Sequence, residues 1–490
     1  MKTFLQTRPV FLYLLSVFFV LHGYTENYAL VPVKNALQLI AIYLAFSLII
    51  SFIFWLLFRN FSKAGLMAFI VMAYNFFFGS ILYLLKNNFP GTFIYRYSFI
   101  LPLSLILATV VMLLIKRRKK PMLQVSLYLN SLLLLLIIIE AGLLSNKIIN
   151  KAGSSLISTN EFINCDHCST PDIYLIIADE YAGTTELKDL FQFDNSKFET
   201  DLNNRGFHIV HKSASNYNFT PFSVASMLNL NYLENLEGSN TSSHDMSICY
   251  NTIKKNKTFR FFQQLGYKIY NCSIFDFRDD PMITASTFLP GKTKPIIAQT
   301  FIYRIYRDLG YHLATDLHLK FAINNIIYKE LNNNNNVFGL TKKIALKSDT
   351  RPKFVYTHLV MPHYPYFFDS TGNPTPIKNL NESYWSNKKA YLEYLLYTNK
   401  KLLQLVDHIK MASASPPIII LIGDHGFRQF KENVDPKYYF LNLNSVFIPG
   451  SDYSGFYESI SNINLFRVIL NSQFGQHLPI LKDSVSFLRQ

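Results

Sequence analysis

The chain has 490 residues, half of them hydrophobic and 16% charged, with a formal net charge of +15. That length is too great for one ordinary core and calls for two units. The positive charge would fit nucleic acid, but no stripe of Lys and Arg interleaved with aromatics accompanies it, and the densest basic cluster lies between two apolar stretches. Nucleic acid is therefore set aside, and anionic lipid is the better partner for the charge.

A helix needs about 20 apolar residues to cross the hydrocarbon core of a bilayer. In the first third of the chain Ala36–Phe58, Gly65–Leu85, Tyr97–Ile115 and Leu123–Leu144 meet that requirement. A fifth stretch, Val10–Tyr24, is shorter, and is either a span or the apolar core of a signal peptide. It is read as a retained span, because no clean small-residue cleavage site follows it. Lys2, Arg8, Arg59, Lys63 and the run Lys116-Arg117-Arg118-Lys119-Lys120 all fall on one side of successive spans, whereas the other side carries only Lys34, Lys86 and Arg96. The positive-inside rule makes the first set cytoplasmic. Everything after about Ser145 is then outside, and loss of the first segment would not change that orientation.

These boundaries predict a transmembrane domain over 1–145, a linker over 146–171 and an extracytoplasmic domain over 172–490. The linker contains Cys165-Asp166-His167-Cys168. A zinc site would need a second ligand pair, and only the isolated Cys249 and Cys272 remain, so a local disulfide is expected. The run Asn332 to Asn336 is of low complexity and reads as a surface loop.

Three segments of the soluble part share one pattern. Asp172-Ile173-Tyr174-Leu175-Ile176-Ile177-Ala178 runs into Asp179-Glu180. Phe354-Val355-Tyr356-Thr357 runs into His358, with Pro362-His363-Tyr364-Pro365 shortly after. Ile418-Ile419-Ile420-Leu421-Ile422 runs into Gly423-Asp424-His425-Gly426. Apolar runs of this length bounded by turn residues are typical of central strands covered on both faces. Between them lie helical patterns such as Tyr391–Ile409, with apolar Leu392, Leu395, Leu402, Leu405 and Val406. The alternation predicts an α/β domain with a mostly parallel sheet, whose ligands bind beyond the carboxyl ends of the strands. Singly, each of these acids and histidines reads as a cap or a surface residue; three such strand ends at one edge are hard to explain by capping. Asp424-His425 on a tight turn offers adjacent O and N donors, a set suited to a divalent metal.

Thr220 followed by Pro221 has the form of an N-cap with Pro at the first helical position. A hydroxyl there faces free backbone N–H groups and the positive end of the helix dipole, a setting suited to a phosphate. The plainer alternative is a Thr that merely caps its helix. Ser223 and Ser226 lie roughly on the same helix face and are weaker candidates.

At these residues the chain resembles the alkaline phosphatase and sulfatase superfamily, and within it the membrane-anchored lipoteichoic acid synthases and phosphoethanolamine transferases. The resemblance covers roughly Pro171 to the C-terminus, and the five preceding apolar stretches match the architecture of those proteins. Thr220-Pro221-Phe222-Ser223-Val224 looks like the phosphoethanolamine transferase motif in which Thr precedes x-x-Ser-Val. The resemblance implies one divalent ion, zinc or manganese, on Asp179, Thr220, Asp424 and His425, with Thr220 as nucleophile and His363 at the transferred group. Glu180 stands where sulfatases carry a second Asp; with His358 and Arg278 it is a further candidate for metal or substrate. The C/S-x-P-x-R motif of true sulfatases is missing from the sequence, which argues against sulfate esters.

The expected function is a metal-dependent phosphotransferase that moves a phospholipid head group, of phosphoethanolamine or phosphoglycerol type, through a phosphothreonine to a surface glycan or lipid. The expected location is a bacterial-type plasma (inner) membrane, with the catalytic domain on the periplasmic side. The alternatives are a sulfatase-like hydrolase of phosphate or sulfate esters and, from a different class, a non-catalytic membrane assembly protein. The topology has a direct test. In intact cells a cysteine introduced in the Lys116–Lys120 loop should stay dark to a membrane-impermeant thiol reagent and one in Asn332–Asn336 should be labelled; the reverse pattern rules the orientation out.

Overall fold

The computed structural model describes the chain apart from residues 1, 29, 120–121, 153–161, 164–167, 237–239, 278–281, 283–291 and 490. It divides into two compact units, one formed by Met1–Ile157 with Pro290–Asp316 and the other by Ser158–Leu289 with Leu317–Gln490.

The first unit is helical: α1 (Lys2–Thr7), α2 (Phe11–Glu26), α3 (Val33–Phe58), α4 (Phe61–Asn88), α5 (Tyr97–Arg117) and α6 (Leu123–Ala152). Four of these, α3 to α6, are long and apolar enough to cross a membrane, and α2 is a shorter apolar helix. Large apolar side chains of α3 and α5 stay exposed, Leu105 at 70% and Ile53 at 55%, as a lipid-facing surface requires. By contrast α2 turns Phe11, Leu12, Leu15, Phe19 and Val20 inward, with Phe19 stacked on Phe76 of α4 at 4.2 Å. Ser16 and Ser47 share a hydrogen bond, and His22 of α2 meets Glu140 of α6 at 2.8 Å, polar contacts of the kind that join helices where no hydrophobic force can.

Residues 290–316, within the stretch expected to form the soluble domain, group with this unit. Gly79 of α4 donates to the Gln299 carbonyl at 2.7 Å, and a Cβ at Gly79 would lie 2.8 Å from the Gln299 Cα, so only glycine permits the approach. Beyond it the helix Phe301–Asp316 is tied down at Ile302, whose N–H donates to Asn75, and at Asp308, which accepts from the Tyr97 hydroxyl.

The second unit is built on a six-stranded mixed, mostly parallel sheet in the order β2-β6-β5-β1-β4-β3. The strands are β1 (Ile173–Ala178), β2 (His208–Ile209), β3 (Lys268–Cys272), β4 (Lys353–Leu359), β5 (Ile418–Gly423) and β6 (Asn444–Phe447). Strand β1 is central and runs parallel to β4 and β5, with every residue of all three buried. That is why these strands read as unbroken apolar runs. Among the described strands, antiparallel pairing enters at the β5–β6–β2 edge.

The helix Lys388–Ala412 extends beyond the expected range at both ends and is capped by Asn387, whose side chain accepts from the Ala390 N–H at 3.0 Å. Its buried face carries Tyr391, Leu395, Leu402, Leu405 and Val406, whereas Leu392 lies off that face.

Asn332–Asn336 is a correction. The run lies inside a helix, Lys329–Ala345, not in a loop. Glu330, Asn334, Val337, Thr341 and Ile344 are buried at spacings of four and three, so packing overrides the weak helix propensity of Asn. Asn334 uses its amide as a strand partner, accepting from the Val360 N–H at 2.7 Å and donating to the Val360 carbonyl at 2.8 Å. The expected Cys165–Cys168 bridge falls partly outside the described residues: Cys168 is disulfide-bonded, Cys165 is not described, and Cys249 and Cys272 are buried thiols in no disulfide.

Tyr391 joins this scaffold to the end of β1. Its hydroxyl donates to the Glu180 carbonyl at 2.9 Å and accepts from the Ala182 N–H at 3.0 Å. Tyr391→Phe leaves both groups buried and unpaired and should destabilise the unit by about 2 kcal/mol in denaturant unfolding. No measurable loss would mean that the hydroxyl does not hold this turn.

Candidate active site

Pairing puts Ala178 of β1 level with Leu359 of β4 and with Gly423 of β5. The next residues, Asp179 and Asp424, therefore leave adjacent strands at the same edge. Side chains alternate along a strand, so Asp179 shares a face with Ile177, whose partner on β4 is His358. The register thus brings the His358 imidazole to Asp179, at 3.0 Å from Nε2 to Oδ2. On the other side of the ring Nδ1 lies 3.0 Å from the Tyr356 hydroxyl. Burial pushes the His358 pKa down to about 4, so the ring is neutral, with Nε2–H donating to Asp179 and Nδ1 accepting from Tyr356. His358 is an orienting partner of Asp179, and of the candidate residues it is the one spent within the strand.

The Gly423–Gly426 turn is equally well supported. The Asp424 Oδ1 accepts the N–H groups of Glu180 and His425, each at 3.0 Å. The Asp424 carbonyl accepts the Ser223 hydroxyl at 2.6 Å, and the Ser226 hydroxyl is bonded to the Ser223 carbonyl, which accounts for both serines as structural. His425 Nδ1 donates to the Gly426 carbonyl at 2.8 Å, which leaves Nε2 with its lone pair directed at the cluster. Below the turn, the buried Glu186 accepts the Phe427 N–H with both carboxylate oxygens. Burial holds the Glu186 carboxyl well above its usual range.

Thr220 departs from the expected cap by one position. The helix Thr220–Leu228 begins on Thr220 itself, Phe219 precedes it as cap residue, and no side chain caps it. The Thr220 hydroxyl instead lies 3.2 Å from His425 Nε2. The plainer reading, a hydroxyl occupied in capping, does not hold.

Asp179, Asp424 and His425 are fully buried and present ligand atoms within 4.8 Å of one another. Asp179 Oδ1 and Asp424 Oδ2 are buried without a hydrogen-bond partner. Burial, and then the Asp424 charge, hold the Asp179 carboxyl well above its usual range. Burial acts the same way on Asp424, but His425, His358 and the Glu180 N–H outweigh it and hold that carboxyl low. Burial also keeps His425 below its ordinary value and hence neutral. Two orphaned carboxylate oxygens and one imidazole lone pair form a donor set that fits a divalent cation.

Glu180 and His363 adjoin this group. Glu180 has a left-handed backbone with φ 60° and is fully buried. Its Oε1 accepts the Arg428 N–H at 2.9 Å, and its Oε2 lies 3.7 Å from His363 Nε2. His363 sits in a turn whose N–H donates to the Asp179 carbonyl at 3.1 Å, and its Nδ1 donates to the Tyr364 carbonyl at 2.5 Å. Arg278 lies outside the described residues. Arg428, Tyr391 and Glu186 went unnoticed in the sequence. Of these only Arg428 had a signal, a cation three positions after His425 in Gly-Asp-His-Gly-Phe-Arg.

No described protein family and no curated protein matches the chain. Among solved structures it is similar to the C-terminal periplasmic domain of EcEptC from Escherichia coli in complex with Zn, at 11% identity and a TM-score of 0.41, covering 67% of this chain and 89% of that one. It is similar also to the C-terminal periplasmic domain of the phosphoethanolamine transferase EptC from Campylobacter jejuni, at 14% identity and a TM-score of 0.38, covering 64% and 92%. A third is the phosphonate monoester hydrolase of Agrobacterium radiobacter, at 13% identity and a TM-score of 0.38, covering 63% and 74%.

The donor set has a pH signature. A cation at Asp179 displaces the proton that burial favours there, so affinity should fall as pH is lowered and binding should release protons. Asp424→Ala and His425→Ala should lose the metal. His358→Ala, which frees Asp179 to rotate, should weaken binding by about 10- to 100-fold. Elemental analysis of dialysed protein reads all three, and full metal content in Asp424→Ala and His425→Ala would remove the metal assignment.

Proposed function

We propose that the chain is a membrane-anchored, metal-dependent phosphotransferase acting through Thr220. The observation that carries this reading is the Thr220 hydroxyl, which leaves its own helix uncapped and stands 3.2 Å from His425 Nε2 beside two orphaned carboxylate oxygens. Asp179, Asp424 and His425 hold one ion, zinc or manganese, with the Thr220 oxygen as a further ligand. Bound there, the ion supplies charge neutralisation and a lowered pKa for the hydroxyl.

The helix start fixes Thr220 with its oxygen toward the phosphorus of a phosphodiester, its proton passes to solvent, and the resulting alkoxide forms the Oγ1–P bond. The bond from phosphorus to the lipid alcohol breaks, and His363 Nε2 hands that alcohol a proton. An acceptor alcohol, giving its proton to His363 Nε2, then attacks the phosphothreonine, the bond from phosphorus to Oγ1 breaks, and Thr220 leaves as the alkoxide ready for the next donor. Burial of the whole group limits access of water to the intermediate.

The donor is a bilayer phospholipid and the acceptor a surface glycan or lipid, on the extracytoplasmic side of a bacterial-type plasma membrane. The apolar helices of the first unit support a lipid donor, because a protein acting on soluble esters gains nothing from spanning helices. A sulfatase-like hydrolase would share every step but the last, with water in place of the acceptor.

The test supplies fluorescent phosphatidylethanolamine and phosphatidylglycerol with a membrane and surface-glycan extract, and follows both neutral lipid and head group. The head group should appear covalently on an acceptor. Thr220→Ala should abolish turnover and any phosphoenzyme, whereas Thr220→Ser should retain part of both. Release of free phosphoethanolamine or phosphoglycerol alone, with Thr220 required, turns the reading to hydrolysis; a phosphoenzyme persisting in Thr220→Ala removes Thr220 as nucleophile.

A further inference from the structure

Arg428 is a cation held beside a carboxylate without being used up by it. Its backbone N–H is tied to Glu180 Oε1, and the Gln429 side chain donates to the same oxygen at 3.3 Å. The guanidinium lies over the Phe219 ring at 4.4 Å, and the side chain is only 14% exposed. Its Nε is buried without a hydrogen-bond partner and stays 4.0 Å from Glu180 Oε1. An arginine committed to a carboxylate makes two parallel bonds of roughly 2.7–2.9 Å. Here the stack on Phe219 sets the plane of the guanidinium instead, and Phe219 is the residue immediately before Thr220.

Glu180 is built as a bracket. Its left-handed backbone is fixed by the Tyr391 hydroxyl on its carbonyl and by Asp424 Oδ1 on its N–H. From that fixed point one carboxylate oxygen anchors the Arg428 backbone, and the other faces His363 Nε2 at 3.7 Å. The group of ligand atoms that converge for a cation comprises Asp179, Asp424 and His425 and leaves Glu180 out.

We propose that Arg428 binds a non-bridging oxygen of the transferred phosphoryl group, and that Glu180 is a positioning residue that sets Arg428 and His363 on either side of that group rather than a metal ligand. This rests on the phosphotransferase reading. A guanidinium suits the task because its orphaned donor, costly while buried, gains a charge-assisted bond only when an oxyanion arrives. Phe219 and Thr220, consecutive in sequence, thus hold the anion-binding group and the nucleophile in one frame.

The test uses the full-length, metal-loaded protein in detergent, with inorganic phosphate as the probe in calorimetry and metal content measured in parallel. Arg428→Met should weaken phosphate binding by about 10- to 100-fold, the range of a lost charge-assisted bond. Arg428→Lys should fall between it and the unaltered protein, because the charge survives but the fork and the stack do not. Metal content should be unchanged in both, and Thr220→Ala should still bind phosphate. Glu180→Gln should keep its metal while weakening phosphate binding. Unaltered phosphate affinity in both Arg428 variants overturns the role of Arg428, and metal loss in Glu180→Gln overturns the bracket. If the unaltered protein holds no metal or binds no phosphate, the phosphotransferase reading falls first and this proposal with it.

Discussion

The second unit is organised around the burial of two carboxylates on neighbouring strands. Parallel pairing of β1 with β5 leaves Asp179 and Asp424 side by side in a region without solvent exposure. Two negative charges so placed repel one another and have lost their hydration, at a cost of several kcal/mol per ion in a protein interior. The surroundings reduce that cost in a particular way. Peptide N–H groups and a neutral imidazole satisfy one oxygen of each acid and leave the other without a partner. The arrangement raises the proton affinity of Asp179 and offers the same oxygens to a small cation of higher charge that can displace that proton.

Sequence patterns made the sheet legible because burial on both faces erases alternation and leaves apolar runs that end on chemistry. Asp179, Asp424 and His425 were visible for that reason, and the structure brings all three together. The role of His358 was not visible, since it depends on which residue of β1 lies opposite it, and register is a property of two strands rather than one. Thr220 was legible as a helix start, but only the fold shows that its hydroxyl is turned away from capping. Arg428 escaped notice because a lone cation after a turn usually faces solvent, and its stack on Phe219 joins residues 209 positions apart.

Low complexity misled at Asn332–Asn336. Composition suggested a loop, whereas the spacing of Glu330, Asn334, Val337 and Thr341 is that of a helix with one buried face. Asn334 completes the backbone pairing of Val360 just beyond the end of β4, so a residue type associated with turns here extends a sheet. Similarly, the contacts of residues 290–316 with α4 and α5 rest on a backbone approach at Gly79 and on single polar side chains, Asn75 and Tyr97, none of which forms a pattern along the chain.

Gly426 has a consequence for how descendants of this protein would diverge. A Cβ there would meet the Tyr438 carbonyl, Glu186 Oε2 at 2.5 Å and the Leu441 carbonyl at 2.7 Å. Selection for folding alone would therefore preserve that glycine, whatever became of the chemistry. If Thr220 is the nucleophile we propose, a gene copy released from catalysis should keep Gly426 and drift at Thr220, whose hydroxyl makes no capping bond to its own helix. Retention of the turn in a distant homologue would then testify only to architecture, and under the proposed function the residue at the helix start would distinguish working lineages from relics.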